Sequence, residues 1–250
     1  MQPGKAEQER AAAIREMFTA IAPRYDLLNH VLSLGVARLW WRRTANAFSH
    51  RLGQSGVRVL DLCCGTGDMT FALGRRARRL QVSPEFYGLD FSHRMLLRAG
   101  GKAQTKPARR ALEVRWVEAD ALRLPFRDGA FDLVISAFGF RNLANYDAGL
   151  REIQRILAPG GEVGILDFGE PSGLFGKLYG IYFRHVLPAI GTLLSGVRGP
   201  YAYLPASVHR FPSPDEMLSR MRATGFRPVS WTAFTGGIAG LYRGTRARRD

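Results

Sequence analysis

The sequence predicts an α/β fold, an open and mostly parallel sheet with helices on both faces. Three observations carry that expectation. Short, nearly continuous apolar runs recur between residues 57 and 168, as buried parallel strands require. Stretches with helical apolar spacing separate them, the alternation that builds crossover units. The chain also has 250 residues, 46% hydrophobic and 23% charged, enough for a sizeable core in one elaborated domain.

The elements follow in order. Residues 5–20 carry helical spacing and stop at Pro23; "LLNHVLSLG" and "VARLWWRRTANAFSHRL" give two further helices. Residues 1–50 thus form a helical cap contributing to the site, and 51–250 the main domain. "VRVLDL" (57–62) is the first strand, with helix "DMTFALGRRA" behind it. "FYGLD" (86–90) precedes helix "SHRMLLRAGGKA", and "LEVRWVEAD" (112–120) alternates as a third strand. "FDLVISAF" (131–138) is the fourth; "YDAGLREIQRILAPGG" reads as a helix closed at Pro159-Gly160-Gly161, before strand "EVGILDF" (162–168). A Gly- and aromatic-rich insertion at about 171–211 breaks the pattern. Ser213 can cap the helix "SPDEMLSRMRATGF". "RPVSWTAFT" and "IAGLYRGTR" close the chain as a hairpin around Gly236-Gly237.

Composition narrows the setting. Adjacent Cys63 and Cys64 cannot staple a fold, which suits a reducing cytoplasm, and without neighbouring histidines they lack zinc ligands; no metal site is expected. The N-terminus has no secretion-signal core, and Lys177, Arg184 and His185 interrupt the longest apolar stretch, 173–196, which reads as an interfacial or pocket-covering segment. The net charge of +15 is spread over several clusters, an ordinary solvated face or one drawn to anionic membrane. No nucleic-acid-binding motif accompanies it, so no nucleic-acid partner is expected. The oligomeric state is open, a homodimer being one option.

Acids and glycines at strand ends locate a ligand. Gly65 and Gly67 sit in the turn after the first strand, where glycine permits close backbone approach. The pattern is GxG rather than GxGxxG, since Thr70 holds the third position, and this disfavours a dinucleotide oxidoreductase. Asp90 ends the second strand, where a carboxylate can accept a ribose diol or cap the next helix. Asp120 follows the third, placed for an adenine amino group or a turn, with Ala121 and Leu122 to pack on the ring. Together they point to a nucleoside-bearing cofactor.

"LDLCCGTGD", "YGLDFS", "EADALRLPFRDGAFDLV" and "QRILAPGGEVGILDF" resemble the class I S-adenosylmethionine-dependent methyltransferases. "FTAIAPRYDLLNHVLSLG" (18–35), "SAFGFRN" (136–142), "YLPASVHRFPSPDEM" (203–217) and "FTGGIAGLYRG" (234–244) extend the likeness to the quinone-ring C-methyltransferases of menaquinone and ubiquinone biosynthesis, and "CCGTGD" to the demethylmenaquinone branch. The resemblance implies a seven-stranded sheet with one reversed strand, and S-adenosylmethionine touching Thr66, Asp90, Asp120, Ala121 and Ser136, with Asp61 holding its ammonium. It implies C-methylation of a prenylated demethylnaphthoquinol; a methoxybenzoquinol or demethylphylloquinol is the alternative, and an RNA-modifying protein a remoter one.

The sequence departs from the family at "VARLW", which lacks a histidine-arginine pair, and at Tyr242, where histidine is usual. Catalysis needs the ring carbon aligned and charge on the ring oxygen stabilised. Arg141 is the first candidate, with Asn142 to orient it and His209 as base. Tyr25, Asp26, Asn29, Tyr203 and Ser207 are the substrate candidates. The aromatics Trp40, Trp41, Phe175, Tyr179, Tyr182 and Phe183 are either core or contacts for a prenyl tail.

Overall fold

In the computed structural model, residues 35–105, 112–171 and 200–248 are described, with the isolated positions 14, 16, 17, 19, 173, 176 and 180. Tyr25, Asp26, Asn29, Phe175, Tyr179, Tyr182 and Phe183 lie outside the described residues, as do most of the expected N-terminal cap and apolar insertion.

Helices α1 (Ala37–Ala47) and α2 (Ser49–Leu52) precede β1 (Arg58–Leu62) and α3 (Asp68–Arg79). Then come β2 (Glu85–Asp90), α4 (His93–Gln104), β3 (Val114–Glu118) and β4 (Phe131–Ala137). Helix α5 (Tyr146–Ile156) leads into β5 (Leu157–Phe168); α6 (Pro200–Arg210) and α7 (Pro214–Ala223) precede the hairpin β6 (Phe226–Phe234) and β7 (Ala239–Arg246). The sheet order is β3-β2-β1-β4-β5-β7-β6, and β7 alone runs antiparallel to its neighbours. Strand order therefore reverses between β1 and β4, where ligands of open α/β sheets bind beyond the carboxyl ends.

Side chains alternate across the strands and build two cores. Leu60, Leu62, Val134, Val163 and Ile165 face Leu150 and Ile153 of α5 and Met217 and Met221 of α7. Val59, Leu133, Ile135 and Leu166 face Trp40 of α1 and Met69 and Leu73 of α3. This two-sided burial explains why the strands read as continuous apolar runs.

Three boundaries differ from expectation. The long amphipathic helix of residues 36–52 divides at Phe48, whose buried ring lies where a Cβ at Gly164 would be 2.6 Å from it. The strand expected at 162–168 begins already at Leu157, so Pro159-Gly160-Gly161, expected to close the preceding helix, lie within it, and that helix ends at Ile156. The third strand is shorter than 112–120 at both ends. The Ser213 cap agrees with the sequence, its Oγ accepting from Glu216 N–H at 3.4 Å; Asn145 Oδ1 also caps α5, accepting from Ala148 N–H at 3.0 Å. No helix among the described residues is long and apolar enough to cross a membrane.

Candidate active site

A cleft of about 1030 Å³, open mouth included, lies over the carboxyl ends of β1, β2 and β4. Its floor is the turn after β1. Cys63 stands at φ 57° and Gly65 at 54°, and Gly67 at 81° opens α3. Asp90 holds this turn from the neighbouring strand: one carboxylate oxygen accepts from Gly65 N–H and the other from Ser92 N–H, each at 2.9 Å. The helix-capping reading of Asp90 is thus realised. It fixes the loop and the entry to α4, and a carboxylate's capacity of about four acceptor sites leaves room for a diol.

Trp116 of β3 buttresses the floor from behind. A Cβ on Gly88 would lie 2.3 Å from its ring, and one on Gly67 3.0 Å. The glycine inside "YGLD" therefore marks a close ring approach, a signal that a glycine in a strand interior carries. Gly139 plays the same part opposite, where a Cβ would meet Cys63 Cβ at 2.4 Å.

The charge of the cleft is opposite to that of the chain. Asp61, Asp68, Asp90 and Asp120 line it, with no lysine or arginine among the described lining residues. Such a wall repels a pyrophosphate and suits a cationic ligand. Lys102, behind the wall, donates to Thr66 Oγ1 at 3.0 Å and Asp68 at 2.7 Å.

Asp61 is buried and accepts from the Thr70 hydroxyl at 2.5 Å through one oxygen; the other has no hydrogen-bond partner among the described residues. Burial, only partly offset by Thr70, pushes this carboxyl up to about 7, with Asp90 and Asp68 adding in the same direction. An unsatisfied buried acceptor is costly, and a ligand ammonium would relieve it. Ser136 likewise has a buried, unpartnered hydroxyl, one residue behind Ala137 of the cleft wall. Asp120 accepts from Leu122 N–H at 2.9 Å, and Ala121 is buried in the wall beside it. The donor set fits S-adenosylmethionine: a carboxylate for its ammonium, one for its ribose, one for its adenine, and no phosphate cradle.

Burial pushes the thiols of Cys63 and Cys64 well above their ordinary range, with Asp90 and Asp61 adding to it. They are neutral packing groups, and no group of three metal-ligating side chains occurs among the described residues.

Past β4 the character changes. Asn142 lines the cleft and accepts a hydrogen bond from the Tyr203 hydroxyl at 3.1 Å. Arg141 turns away from the cofactor cleft. Its Nη1 donates to Asp167 at 2.8 Å and to the Phe138 carbonyl, its Nε to Ser207 Oγ at 3.4 Å, and its backbone N–H to Asp167 at 3.0 Å. The guanidinium lies 5.1 Å from the Phe168 ring centroid. The structure thus pairs Asn142 with Tyr203 and, next along the chain, joins Arg141 and Ser207 in a separate hydrogen-bonded cluster. Asp167, fully buried at the end of β5, anchors it. Sequence reasoning missed Asp167, although it ends its strand as Asp61 and Asp90 end theirs.

His209 is not brought there. Its side chain is 81% exposed and pairs with Glu170 at 3.1 Å, a surface ion pair rather than a cleft position. The pairing follows from its place in the last turn of α6, facing outward. Tyr242 is also no cleft residue: it is buried between Phe211 and Trp231, and burial raises its hydroxyl's pKa. The tryptophans divide. Trp40 is core, donating to Thr235 Oγ1 at 2.8 Å and packing on Phe138 and Phe168, whereas Trp41 lines the cleft. Ile14 lines it too, from the N-terminal region.

Comparisons with known proteins agree with this geometry. The model of the ubiE/COQ5 methyltransferase family matches residues 4–246. The chain is 50% identical to demethylmenaquinone methyltransferase of Deinococcus radiodurans, over 96% of this chain and 95% of that one. It is 48% identical to the protein of that name from Thermus thermophilus, over 92% and 100%. A ubiquinone/menaquinone biosynthesis C-methyltransferase of Geobacter sulfurreducens is 42% identical over 95% and 90%. Among solved structures, an S-adenosylmethionine-dependent methyltransferase of Thermotoga maritima superposes with a TM-score of 0.62 at 17% identity, covering 92% of this chain and 99% of that one; it shares the fold.

Proposed function

The chain belongs to the ubiE/COQ5 methyltransferase family, and from that premise we propose that it methylates a ring carbon of a prenylated demethylnaphthoquinol, taking demethylmenaquinol to menaquinol. It is an S-adenosylmethionine-dependent methyltransferase. The observation that carries the naphthoquinol reading is the 50% and 48% identity, along nearly the whole chain, to two proteins named for demethylmenaquinone. The Geobacter relative, named for both quinones, keeps a methoxybenzoquinol as the second reading.

The residues divide the work. S-adenosylmethionine supplies an electrophilic methyl group on a sulfonium. We assign its ammonium to Asp61, its ribose to Asp90, and its adenine to Asp120 and Ala121. Gly65, Thr66 and Gly67 give the backbone approach, and Ser136 offers its unpartnered hydroxyl at the β4 end. On the acceptor side the protein must hold the quinol and lower the energy of charge on its ring oxygen. Arg141 and Asn142 suit that role: Asn142 faces the cleft, and Arg141 stands beside it with a guanidinium aligned by Asp167 and Ser207. Tyr203 orients the Asn142 amide. A prenylated quinol is drawn from a bilayer, so the working site is the cytoplasmic membrane face.

The test is incubation with labelled S-adenosylmethionine and reduced demethylnaphthoquinol. Mass spectrometry should find label on ring carbon. The oxidised quinone should react poorly, because it has no hydroxyl to ionise and its carbon is electron-poor. Label on oxygen, or in tRNA, ends the reading; a tenfold preference for the benzoquinol would move it to the second branch.

A further inference from the structure

We propose that the groove between α1 and α3 is a docking surface for anionic membrane lipid, receiving phosphate headgroups between arginines on its two walls. It rests on the proposed function only in that the substrate is membrane-borne. Gly35, Arg38, Arg42 and Asn46 form one wall, and Arg75, Arg76 and Arg79 the other, around about 840 Å³ of space open to solvent. Arg38, Arg42, Arg75 and Arg79 are exposed. No carboxylate lines the groove among the described residues.

The charge imbalance is local as well as global. Together α1 and α3 carry seven arginines and one acid, Asp68, which sits at the start of α3 and is held by Lys102. Arg38, Arg42 and Arg79 make no side-chain ion pair or hydrogen bond among the described residues. Arg38/Arg42 and Arg75/Arg79 are each four apart, a spacing at which like charges weaken a helix. A bound anion removes that repulsion. The helix dipole explains basic residues in the last turn of α3, but not those of α1.

Guanidinium groups match phosphate oxygens bidentately. The remaining described lining consists of Leu39, Ala45 and Ala72, with no aromatic ring among the described residues on which a base could stack, so the surface reads phosphate and not nucleic-acid sequence. Helix α1 also contributes Trp41 to the cleft, so a protein docked by this face presents its cleft beside the bilayer.

The test uses the full chain with phosphatidylglycerol-rich and phosphatidylcholine vesicles. Wild type should sediment with the first, not the second, and be released at high salt. Arg38→Gln/Arg42→Gln/Arg79→Gln should bind about hundredfold more weakly, since each basic residue near a surface contributes about a factor of five. Arg123→Gln/Arg127→Gln/Arg222→Gln, exposed and equal in charge change, should bind nearly as wild type. The proposal is overturned if the two triple variants lose equally, if the groove variant binds as wild type, or if phosphate ions bind the groove while vesicles do not. Preferential binding of duplex RNA through the same arginines also overturns it. Methylation of a tail-less quinol in vesicle-free buffer should be equal in wild type and the groove variant. Its absence from both sinks the proposed function and leaves the vesicle result standing.

Discussion

The two halves of the cleft end their strands with the same residue type and use it in opposite ways. On the β1–β2 side Asp61 has one oxygen without a partner among the described residues and a carboxyl raised to about 7, an arrangement that suits a cation. On the β4–β5 side Asp167 is fully buried and bonded to Arg141 through both its oxygens. The first half leaves electrostatic work for the ligand. The second completes it internally, holding an aligned guanidinium beside the cleft rather than in it. The difference suits a reaction in which the cofactor arrives with its own positive charge and the acceptor must develop a negative one.

The comparison breaks most visibly at Asp167. Asp167→Ala leaves the Arg141 guanidinium buried without its carboxylate, and should cost about 3–5 kcal/mol of stability in urea denaturation. A loss below about 1 kcal/mol would show that solvent reaches the pair. Arg141→Lys keeps the charge but loses the fork that reaches Asp167 and Ser207 together. Turnover should fall about hundredfold with S-adenosylmethionine affinity nearly unchanged. An equal loss of affinity would place Arg141 on the cofactor side instead.

Asp90→Ala should weaken S-adenosylmethionine more than tenfold, since both the ribose contact and the anchor of Gly65 vanish. Titration calorimetry with a circular-dichroism control on folding decides this; unchanged affinity removes the assignment. Asp61 gives a pH signature. Its carboxyl must ionise to meet an ammonium, so affinity should climb by about tenfold per pH unit below 7, then level off. For the ligand-free fold the sign is reversed. Between the unfolded value of about 4 and the folded value of about 7, the folded protein keeps a proton the unfolded chain has released. This group's contribution to stability therefore falls as pH rises through that window. Asp61→Asn should gain thermal stability at pH 8 and lose cofactor affinity there; loss of both would mean a purely structural carboxyl. The smallest effect belongs to His209→Ala. With the side chain 81% exposed, turnover should stay within about twofold. A large drop would require His209 to swing into the site when substrate binds.

What the sequence determined by itself was local. Continuous apolar runs identified the buried strands, Ser213 marked a helix start, and the Gly65–Gly67 turn, Asp90 and Asp120 at successive strand ends announced a nucleoside-bearing ligand. These signals are short-range: each depends on the period of one element or on one turn. The one reversed strand, β7, entered only through resemblance, and the reversal of strand order between β1 and β4 only with the tertiary structure, because no local pattern encodes which strands become neighbours. Tertiary structure alone paired Arg141 with Asp167 across 26 residues and with Ser207 across 66. It also set Trp116 against Gly88 and turned His209 outward, one residue after the buried Val208 on the same helix. Burial decides whether a histidine is a base or a surface ion pair, and burial is summed over the whole fold. A residue's type is written in the chain, but its dielectric surroundings and partners exist only once distant segments have met.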